Sequence, residues 1–275
     1  MLARSAAIKL IHPEKATGQS YDNLQQRFER EARATAALRS PHTVALYDYG
    51  VSEDGQFYYA MELLEGLDME TLITRHGPQP PSRVIFMLQQ ACKSLAEAHD
   101  RGLVHRDIKP RNLFLCRLGL EYDFVKVLDF GLVKPHQQNR TQTELTGDGL
   151  LPGTPGYMSP EMALGNRADW RTDIYALGCV AYWLLSGRTV FEGETPMSLA
   201  LAHIQLPPQP PSTYSSQPIP TSLDDLIMRC LEKAPSRRPQ TAQEVYDLLG
   251  NCNPSTTWTA EDAAKWWRTN FDPPT

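Results

Sequence analysis

The clearest chemical signature of the sequence is the polar run HRDIKPRN, which ends at Asn112. Its aspartate, Asp107, precedes Asn112 by five residues, and Asp129 follows 22 residues after Asp107, directly behind the apolar residues VKVL. Mg²⁺ prefers carboxylate and amide oxygens, and Asp129 and Asn112 supply one of each. A carboxylate such as Asp107 can hold an alcohol in line and accept its proton. The spacing therefore indicates phosphoryl transfer to a hydroxyl, with Asn112 and Asp129 as metal ligands.

Lys109, two residues after Asp107, is expected to reach the transferred phosphate and to offset charge in the transition state. Each fragment also has a plainer interpretation. HRD alone is a polar loop, DFG at 129–131 alone is a turn after a strand, and Lys9 alone is a solvated strand lysine. Because the fragments occur in one order at workable spacings, the set is more informative than any one of them.

Hydrophobic periodicity predicts the elements that must position these residues. Strands are predicted at 5–11, 44–50, 56–64, 113–116 and 125–128. Helices are predicted at 21–38, 81–101, 172–186, 196–203, 223–233 and 241–249, with a last one near two adjacent tryptophans within 257–271. A few strands with one helix precede a mainly helical body, which is an α+β layout in two unequal lobes.

Composition narrows the class of protein. The chain has 275 residues, 41% of them hydrophobic and 21% charged, which fits a globular protein and argues against bulk disorder. A net charge of -5 gives no general attraction to nucleic acid or anionic membranes. The longest apolar run, 174–185, falls short of the roughly 20 residues of a membrane span. Five cysteines without a CxxC pair fit a reducing compartment. We expect a cytoplasmic protein with no membrane segment and no nucleic-acid partner.

In this order the motifs resemble those of the protein kinase family, and of the bacterial eukaryotic-like serine/threonine kinases in particular. The resemblance covers about residues 6–249. It implies a two-lobed kinase fold: a truncated, β-rich N-lobe with the start of the hinge at 1–64, a mainly helical C-lobe at 65–250, and a tail with a short Trp-containing helix at 251–275. It also implies a kinase that uses ATP and Mg²⁺ to phosphorylate Ser or Thr in protein substrates, itself included through transient self-association.

The resemblance assigns two charged residues of the nucleotide site in the N-lobe. In the run AIK, Lys9 looks like the strand lysine that holds the α- and β-phosphates. Glu31 is similar to the helix glutamate that pairs with this lysine, and Glu29 is the competing choice. Glu31 lies three residues after Phe28 and so shares the buried side of the helix, whereas Glu29 points away.

The run MELLEG resembles the hinge between the lobes. By this resemblance Met61 is the gatekeeper, and the backbone groups of Glu62 and Leu64 hydrogen-bond adenine. Phe114 is expected to lie under the adenine ring. Asp68 is similar to the acid that meets the ribose, although an exposed aspartate at a helix start is nearly as good an interpretation.

The segment 129–161 resembles an activation segment, whose last residue, Glu161, is expected to form a buried ion pair with Arg238. Asp173 and Gly178 match the DxxxxG helix that anchors the catalytic loop of the family. The resemblance gives these four residues a scaffolding role and no part in the chemistry.

Regulation follows from the arginine of HRD. Arg106 is the family's usual partner for a phosphate on the activation segment, where the best-placed acceptor is Thr146, eight residues before Thr154. The other candidates are Thr141 and Thr143. Thr154, directly after a glycine, and the lysine of DIKP both point to Ser/Thr substrates and away from Tyr.

The sequence departs from the family in front of Lys9. The Gly-rich loop of kinases precedes the strand lysine by roughly a dozen or more residues, and only eight residues precede Lys9 here. The run GDGLLPG at 147–153 follows DFG and is no substitute. Either Met1 is an internal or misassigned start of a longer kinase, or the short chain works poorly or acts as a binding or scaffold protein. We favour the first explanation, a longer kinase, because the other motif residues are intact. These are Lys9, Glu31, Asp107, Asn112 and Asp129.

Overall fold

The strand-rich start of the chain folds as a small lobe. The computed structural model describes residues 5–11, 19–130 and 154–271. The small lobe contains β1 (Ala6–Ile11), α1 (Gln19–Ala36), β2 (Leu46–Val51) and β3 (Phe57–Glu62). Its strands form one antiparallel sheet in the order β1-β3-β2, so β1 is an edge strand among the described residues.

The large lobe is mainly helical, as its sequence pattern predicts. It begins with β4 (Gly66–Asp68), α2 (Met69–His76), α3 (Pro81–Asp100), β5 (Leu113–Leu118) and β6 (Glu121–Val127). It continues with α4 (Pro160–Ala163), α5 (Arg171–Ser186), α6 (Pro196–Gln205), α7 (Thr221–Cys230), α8 (Ala242–Gly250) and α9 (Ala260–Asn270). A second antiparallel sheet has the order β4-β5-β6. The α+β layout in two unequal lobes is confirmed.

A small core holds α1 against the first sheet. Phe28 and Ala32 lie one turn apart on α1, so they share a face. Together with Phe57 and Tyr59 of β3 they form the buried cluster of this lobe, in which the rings of Phe28 and Phe57 stack 4.9 Å apart. This packing fixes which side of α1 faces the sheet.

The segment between α1 and β2 joins the two lobes. Its residue Val44 donates a backbone hydrogen bond to Val127 at the end of β6, and Val127 donates one to His42 at 2.7 Å. The hydroxyls of Thr43 and Ser94 are 2.6 Å apart, and Ser94 belongs to α3. The small lobe is therefore tied to the strand that leads into Asp129.

The apolar run of the sequence forms α5, the central helix of the large lobe. Its buried residues span nearly the whole helix, which confirms the prediction of a core helix. A side chain at Gly178 would lie 2.8 Å from the Cβ of Cys230, so α5 approaches α7 closely only with glycine there. All five cysteines are free and buried, as expected. Across the described ranges, no helix combines the length and apolar character needed to cross a membrane.

A buried ion pair closes the large lobe. Arg238 donates two hydrogen bonds to Glu161, at 2.8 and 2.7 Å, and Thr172 donates a third at 2.8 Å. These bonds outweigh the effect of burial, which alone raises the pKa of Glu161, and hold that pKa below its usual value. The predicted pair is confirmed and links α4 to α5 and the turn before α8.

Hydrophobic periodicity does not predict the short elements β4, α2 and α4. Helix α2 has only eight residues, too few for a clear period. Its ends carry recognisable signals, because Asp68 caps its first turn and Gly77 follows it at a positive φ of 71°. The remaining predicted elements are found with their ends displaced by a few residues.

The C-terminal tail folds back onto the large lobe, and it contains the predicted helix with the tryptophans. Helix α9 begins with a reciprocal capping box formed by Thr259 and Asp262. Trp267 is fully buried and donates a hydrogen bond from Nε1 to Asp123 at 2.8 Å. Trp258 donates to the other carboxylate oxygen of Asp123 at 2.9 Å.

Asp123 is itself half of a fully buried ion pair. Arg83 of α3 donates two hydrogen bonds to it, at 2.9 and 2.7 Å. The guanidinium lies between the rings of Trp258 and Trp266, at 4.9 and 4.0 Å from their centroids. The tail therefore covers an ion pair that would otherwise meet water on one side.

We predict that Asp123→Ala destabilises the protein by about 3–5 kcal/mol, since it leaves the Arg83 charge buried without a partner. Urea unfolding followed by tryptophan fluorescence measures this loss. Glu121→Ala, on the same strand but exposed, is the control and should change stability by less than about 0.5 kcal/mol. A loss below about 1 kcal/mol for Asp123→Ala would contradict the assignment.

Candidate active site

The loop that carries HRD is anchored by one buried carboxylate. Asp173 of α5 accepts hydrogen bonds from the backbone N–H groups of His105 and Arg106, both at 2.8 Å. His99 of α3 contacts the same carboxylate at 2.8 Å. Burial alone raises the pKa of Asp173, but these donors outweigh it and hold the pKa below its usual value. The predicted anchor is confirmed.

The anchor allows an unfavourable backbone conformation. Arg106 has a φ of 62°, in the left-handed region that non-glycine residues seldom occupy. The two backbone hydrogen bonds to Asp173 fix the peptide on either side of His105 and so hold this conformation. Asp107 follows directly, and its direction is set by the turn.

His105 connects this loop to the strand before Asp129. It is fully buried, and its Nε2 contacts the backbone carbonyl of Leu128 at 2.7 Å. Its Nδ1 accepts the backbone N–H of Asp107 at 3.2 Å, which assigns the proton to Nε2. Burial lowers the pKa of His105, so the ring is neutral at physiological pH. The two halves of the candidate site are thus joined by one side chain.

Four of the predicted residues meet in one hydrogen-bonded group. Asn112 donates from Nδ2 to the backbone carbonyl of Asp107 at 2.7 Å. The ammonium of Lys109 lies 3.0 Å from a carboxylate oxygen of Asp107 and 3.2 Å from the hydroxyl of Thr154. Residues predicted from two separate motifs therefore form one connected group around Asp107 and Lys109.

Asp129 follows Leu128, whose backbone N–H donates to the carbonyl of Asn112 at 2.9 Å, and its carboxylate is held by the small lobe. Its φ is 57°, a second non-glycine residue in the left-handed region. Lys9 of β1 forms an ion pair with one of its oxygens. Tyr59 of β3 donates its hydroxyl to the other oxygen at 2.6 Å. Burial, followed by the Asp129 charge, raises the pKa of Tyr59 far above its usual value, so the hydroxyl keeps its proton.

The expected pair between Lys9 and Glu31 is not formed among the described residues, because Lys9 contacts Asp129 instead. Burial raises the pKa of Glu31, while the positive charges of three arginines lower it. These are Arg27, Arg30 and Arg106. Two of these arginines belong to α1 itself, and Arg106 belongs to the catalytic loop. This corrects the predicted partner of Glu31.

Comparisons with known proteins agree with this geometry. The family model for the protein kinase domain matches residues 3–248, nearly the whole chain. The chain belongs to the protein kinase family. It is 38% identical over 218 residues to the serine/threonine-protein kinase pkn3 of Myxococcus xanthus, covering 79% of this chain and 40% of that protein.

Other relatives and a solved structure give the same family and fold. The serine/threonine-protein kinase PknB of Mycobacterium leprae is 36% identical over 252 residues, or 90% of this chain and 39% of PknB. The chain thus spans about two-fifths of the length of these curated relatives. The crystal structure of a double mutant of the Mycobacterium tuberculosis PknI kinase domain matches with a TM-score of 0.64 and 24% identity, covering 91% and 92% of the two chains. This likeness shows the two-lobed fold.

The residues predicted to form the hinge lie at the end of β3 and directly after it. Met61 is paired with Ala7 of β1 and Glu62 with Ala6. The carboxylate of Glu62 contacts the ammonium of Lys126 at 2.6 Å and accepts the N–H of Ala45 at 2.8 Å. The Glu62 side chain thus ties the end of β3 to β6, and Leu64 follows in the connection to β4. The adenine contacts of these residues stay a prediction.

Asp68 caps a helix, the second of its two interpretations. Its two carboxylate oxygens accept the backbone N–H and the hydroxyl of Thr71, both at 2.9 Å. It is paired directly with Phe114 across β4 and β5, which puts both residues at the start of the large lobe. Contacts of Asp68 with ribose and of Phe114 with adenine stay predictions. Thr146 lies outside the described residues.

The donor set fits Mg²⁺ held together with phosphate. Within the described ranges, no cluster of three His, Cys, Asp or Glu side chains is placed to hold a metal by itself. Since Asn112 donates with Nδ2, its amide oxygen is the atom left to coordinate, beside the carboxylate of Asp129. Mg²⁺ commonly takes only one or two protein ligands and completes its shell with water and phosphate oxygens.

Sequence reasoning missed Tyr59 as a site residue. It stands two residues before Met61 in β3, so both side chains project from the same face of the sheet. That alternation was the available signal. The partner, Asp129, is 70 residues away, and no local pattern predicts such a contact.

Helix α6 supports the turn Pro155–Tyr157, which follows Thr154. Its residue His203 is fully buried, and its Nδ1 lies 2.8 Å from the hydroxyl of Tyr175. Burial, with a smaller effect of the Lys233 charge, lowers the pKa of His203 to about 4. In the unfolded chain a histidine has a pKa of about 6.5. As the pH falls, the unfolded state therefore binds this proton at a higher pH than the folded state does.

We therefore predict a stabilising contribution of His203 that is complete above about pH 6.5 and is lost as the pH falls toward about 4. Between about pH 7.5 and pH 5.5 it amounts to about 1 kcal/mol. Urea unfolding of the wild type and of His203→Gln at both pH values measures it, and comparing the slopes removes the variant's own loss. Equal pH dependence in the two proteins would contradict the prediction.

Proposed function

We propose that this member of the family is a serine/threonine protein kinase, which transfers the γ-phosphate of ATP to Ser or Thr hydroxyls of proteins, its own chain included. The observation that carries the proposal is the hydrogen-bonded group of Asp107, Lys109 and Thr154, within which Asn112 also contacts Asp107. Asp129 follows β6, and its neighbour Leu128 donates a backbone hydrogen bond to Asn112 of this group at 2.9 Å. Positioning and charge, the main requirements of phosphoryl transfer, are both met.

Asp107 is the base. As the substrate oxygen forms its bond to the γ-phosphorus and the bond to the β-phosphate oxygen breaks, the hydroxyl proton passes to the Asp107 carboxylate. The ammonium of Lys109, 3.0 Å from that carboxylate, is close enough to stabilise the charge on the transferred group. Mg²⁺ bound by Asn112 and Asp129 would neutralise phosphate charge.

The remaining predicted residues hold the nucleotide. Lys9 supplies a cation to the α- and β-phosphates, and its side chain is 43% exposed, so it can reorient toward them. The backbone of Glu62 and Leu64 bonds adenine, with Met61 behind the ring and Phe114 beneath it. Asp68 meets the ribose while it caps α2.

The contact between Lys109 and Thr154 supports a preference for Ser and Thr. At 3.2 Å it draws the segment after 153 against the catalytic loop. The acceptor hydroxyl must then reach Asp107 over a short distance, which suits a short side chain. Five free, buried cysteines support action in the reducing cytoplasm, where we propose that the protein signals by phosphorylation.

We predict that Asp107→Asn lowers phosphate transfer at least 100-fold, because the amide cannot accept the substrate proton. Incorporation of label from [γ-³²P]ATP into the chain and into a general protein substrate measures it. Asp100→Asn, an exposed aspartate at the end of α3, should retain full activity.

Two outcomes would overturn the proposal. If the Asp107→Asn variant and the wild type incorporate equal amounts of label, the chain does not catalyse the transfer. It would then be a kinase-like binding or scaffold protein. Phosphotyrosine in the products would overturn the Ser/Thr assignment, because phosphoamino-acid analysis is expected to yield only phosphoserine and phosphothreonine.

We further propose that a phosphate on Thr146 pairs with Arg106 and raises activity. Arg106 lies beside the carboxylates of Asp173 and Glu31, and an added phosphate would give this arginine a stronger acceptor. Thr146→Ala is expected to reduce activity several-fold, whereas Thr141→Ala and Thr143→Ala should retain it. Full activity of Thr146→Ala, with unchanged hydrogen exchange across 131–153, would contradict this proposal.

A further inference from the structure

Tyr59 reaches the active-site carboxylate from a position set by the sheet. In the antiparallel register of β1 and β3, Tyr59 lies directly opposite Lys9. Residues opposite each other on neighbouring strands project from the same face at about 5 Å. Both side chains extend toward Asp129, and each contacts a different oxygen of its carboxylate. The register therefore delivers a cation and a hydroxyl to one group.

The two contacts differ in rigidity. The Lys9 side chain is 43% exposed and has four rotatable bonds, so it tolerates many positions. Tyr59 is only 1% exposed, and its ring packs in the cluster of Phe28, Ala32 and Phe57. Its hydroxyl consequently has a nearly fixed position, 2.6 Å from Asp129 Oδ1.

We propose that Tyr59 is a positioning residue for Asp129, whose hydroxyl fixes the orientation in which the carboxylate offers its oxygens to Mg²⁺. The inference rests on the proposed function, in which Asp129 ligates that ion. A carboxylate oxygen that accepts one hydrogen bond keeps a second lone pair for a metal. Hydrogen bonds to metal-ligating groups commonly strengthen metal binding by 10- to 100-fold.

The backbone of Asp129 makes this role physically reasonable. At a φ of 57° its Cα is held by the turn between Leu128 and Phe130, and Phe130 is fully buried. The turn fixes where the side chain starts but not the rotation of its carboxylate. Tyr59 supplies the restraint that the turn lacks.

The test is Tyr59→Phe, which keeps the ring in the core and removes only the hydroxyl. Mn²⁺ replaces Mg²⁺ as the probe, and electron paramagnetic resonance measures its binding to the chain in the presence of a non-hydrolysable ATP analogue. We expect Mn²⁺ to bind roughly 10-fold more weakly to the variant. Affinity for the nucleotide without metal should change less than two-fold.

Tyr58→Phe is the matched control. Tyr58 is the neighbour of Tyr59 on the same strand, so its side chain projects from the opposite face. The same substitution there should leave Mn²⁺ affinity unchanged. Asp129→Asn tests the route of the effect: if Tyr59 acts through Asp129, adding Tyr59→Phe to this variant should weaken Mn²⁺ binding by no more than two-fold.

The outcomes separate this proposal from the proposed function. Equal Mn²⁺ affinity in Tyr59→Phe and the wild type overturns the role of Tyr59 and leaves the kinase assignment intact. The same conclusion follows if Tyr59→Phe weakens Mn²⁺ binding by the full 10-fold when it is added to Asp129→Asn. Failure of the wild type to bind Mn²⁺ with nucleotide overturns both. Normal metal binding without phosphate transfer overturns the kinase function alone.

Thermal unfolding followed by circular dichroism should show a folded Tyr59→Phe variant. An unfolded variant would show that the hydroxyl serves stability, and it would overturn the proposal.

Discussion

The arrangement of the catalytic loop depends on the buried carboxylate of Asp173. A fully buried anion is costly unless donors surround it, and here His99 and the backbone N–H groups of His105 and Arg106 do so. In return, the carboxylate holds Arg106 in a left-handed conformation that it would otherwise leave at a gain of about 1 kcal/mol or more. Asp107 is the next residue, so the direction of the proposed base depends on a charge that never meets substrate.

The site residues of the large lobe are held rigidly, whereas those of the small lobe are held by fewer contacts. Asp107, Lys109 and Asn112 belong to one loop that is bonded to α5 and to the end of β6. Among the described residues, the core of the small lobe has four buried hydrophobic members, on α1 and β3. Glu31 lies on that helix, and its distance from the charge of the catalytic-loop arginine depends on where the helix sits. The small lobe is therefore the part of the site whose geometry is easiest to change.

Predictions from sequence succeeded where chemistry is local in the chain. Asp107, Lys109 and Asn112 lie within six residues, and α5 and the tail helix carry strong apolar patterns, so motif and period were sufficient. They failed at contacts of the small lobe that depend on tertiary packing. The partner of Lys9 is 120 residues away, and no local pattern predicts that it is Asp129 and not Glu31. Asp68 shows the same limit, because the sequence left two interpretations of it open and the helix that it caps is too short for its period to decide between them.

Asp129 is the residue at which the two lobes act together. The large lobe constrains its backbone, since His105 contacts the carbonyl of Leu128 and packs on Phe130 at 4.8 Å, on either side of Asp129. The small lobe constrains its carboxylate through Lys9 and Tyr59. A conformation at φ 57° is unfavourable alone and persists because both sets of contacts oppose its relaxation. A metal site built this way is complete only when the two lobes have the relative position seen here. A shift of one lobe against the other therefore changes metal affinity before it changes the catalytic loop.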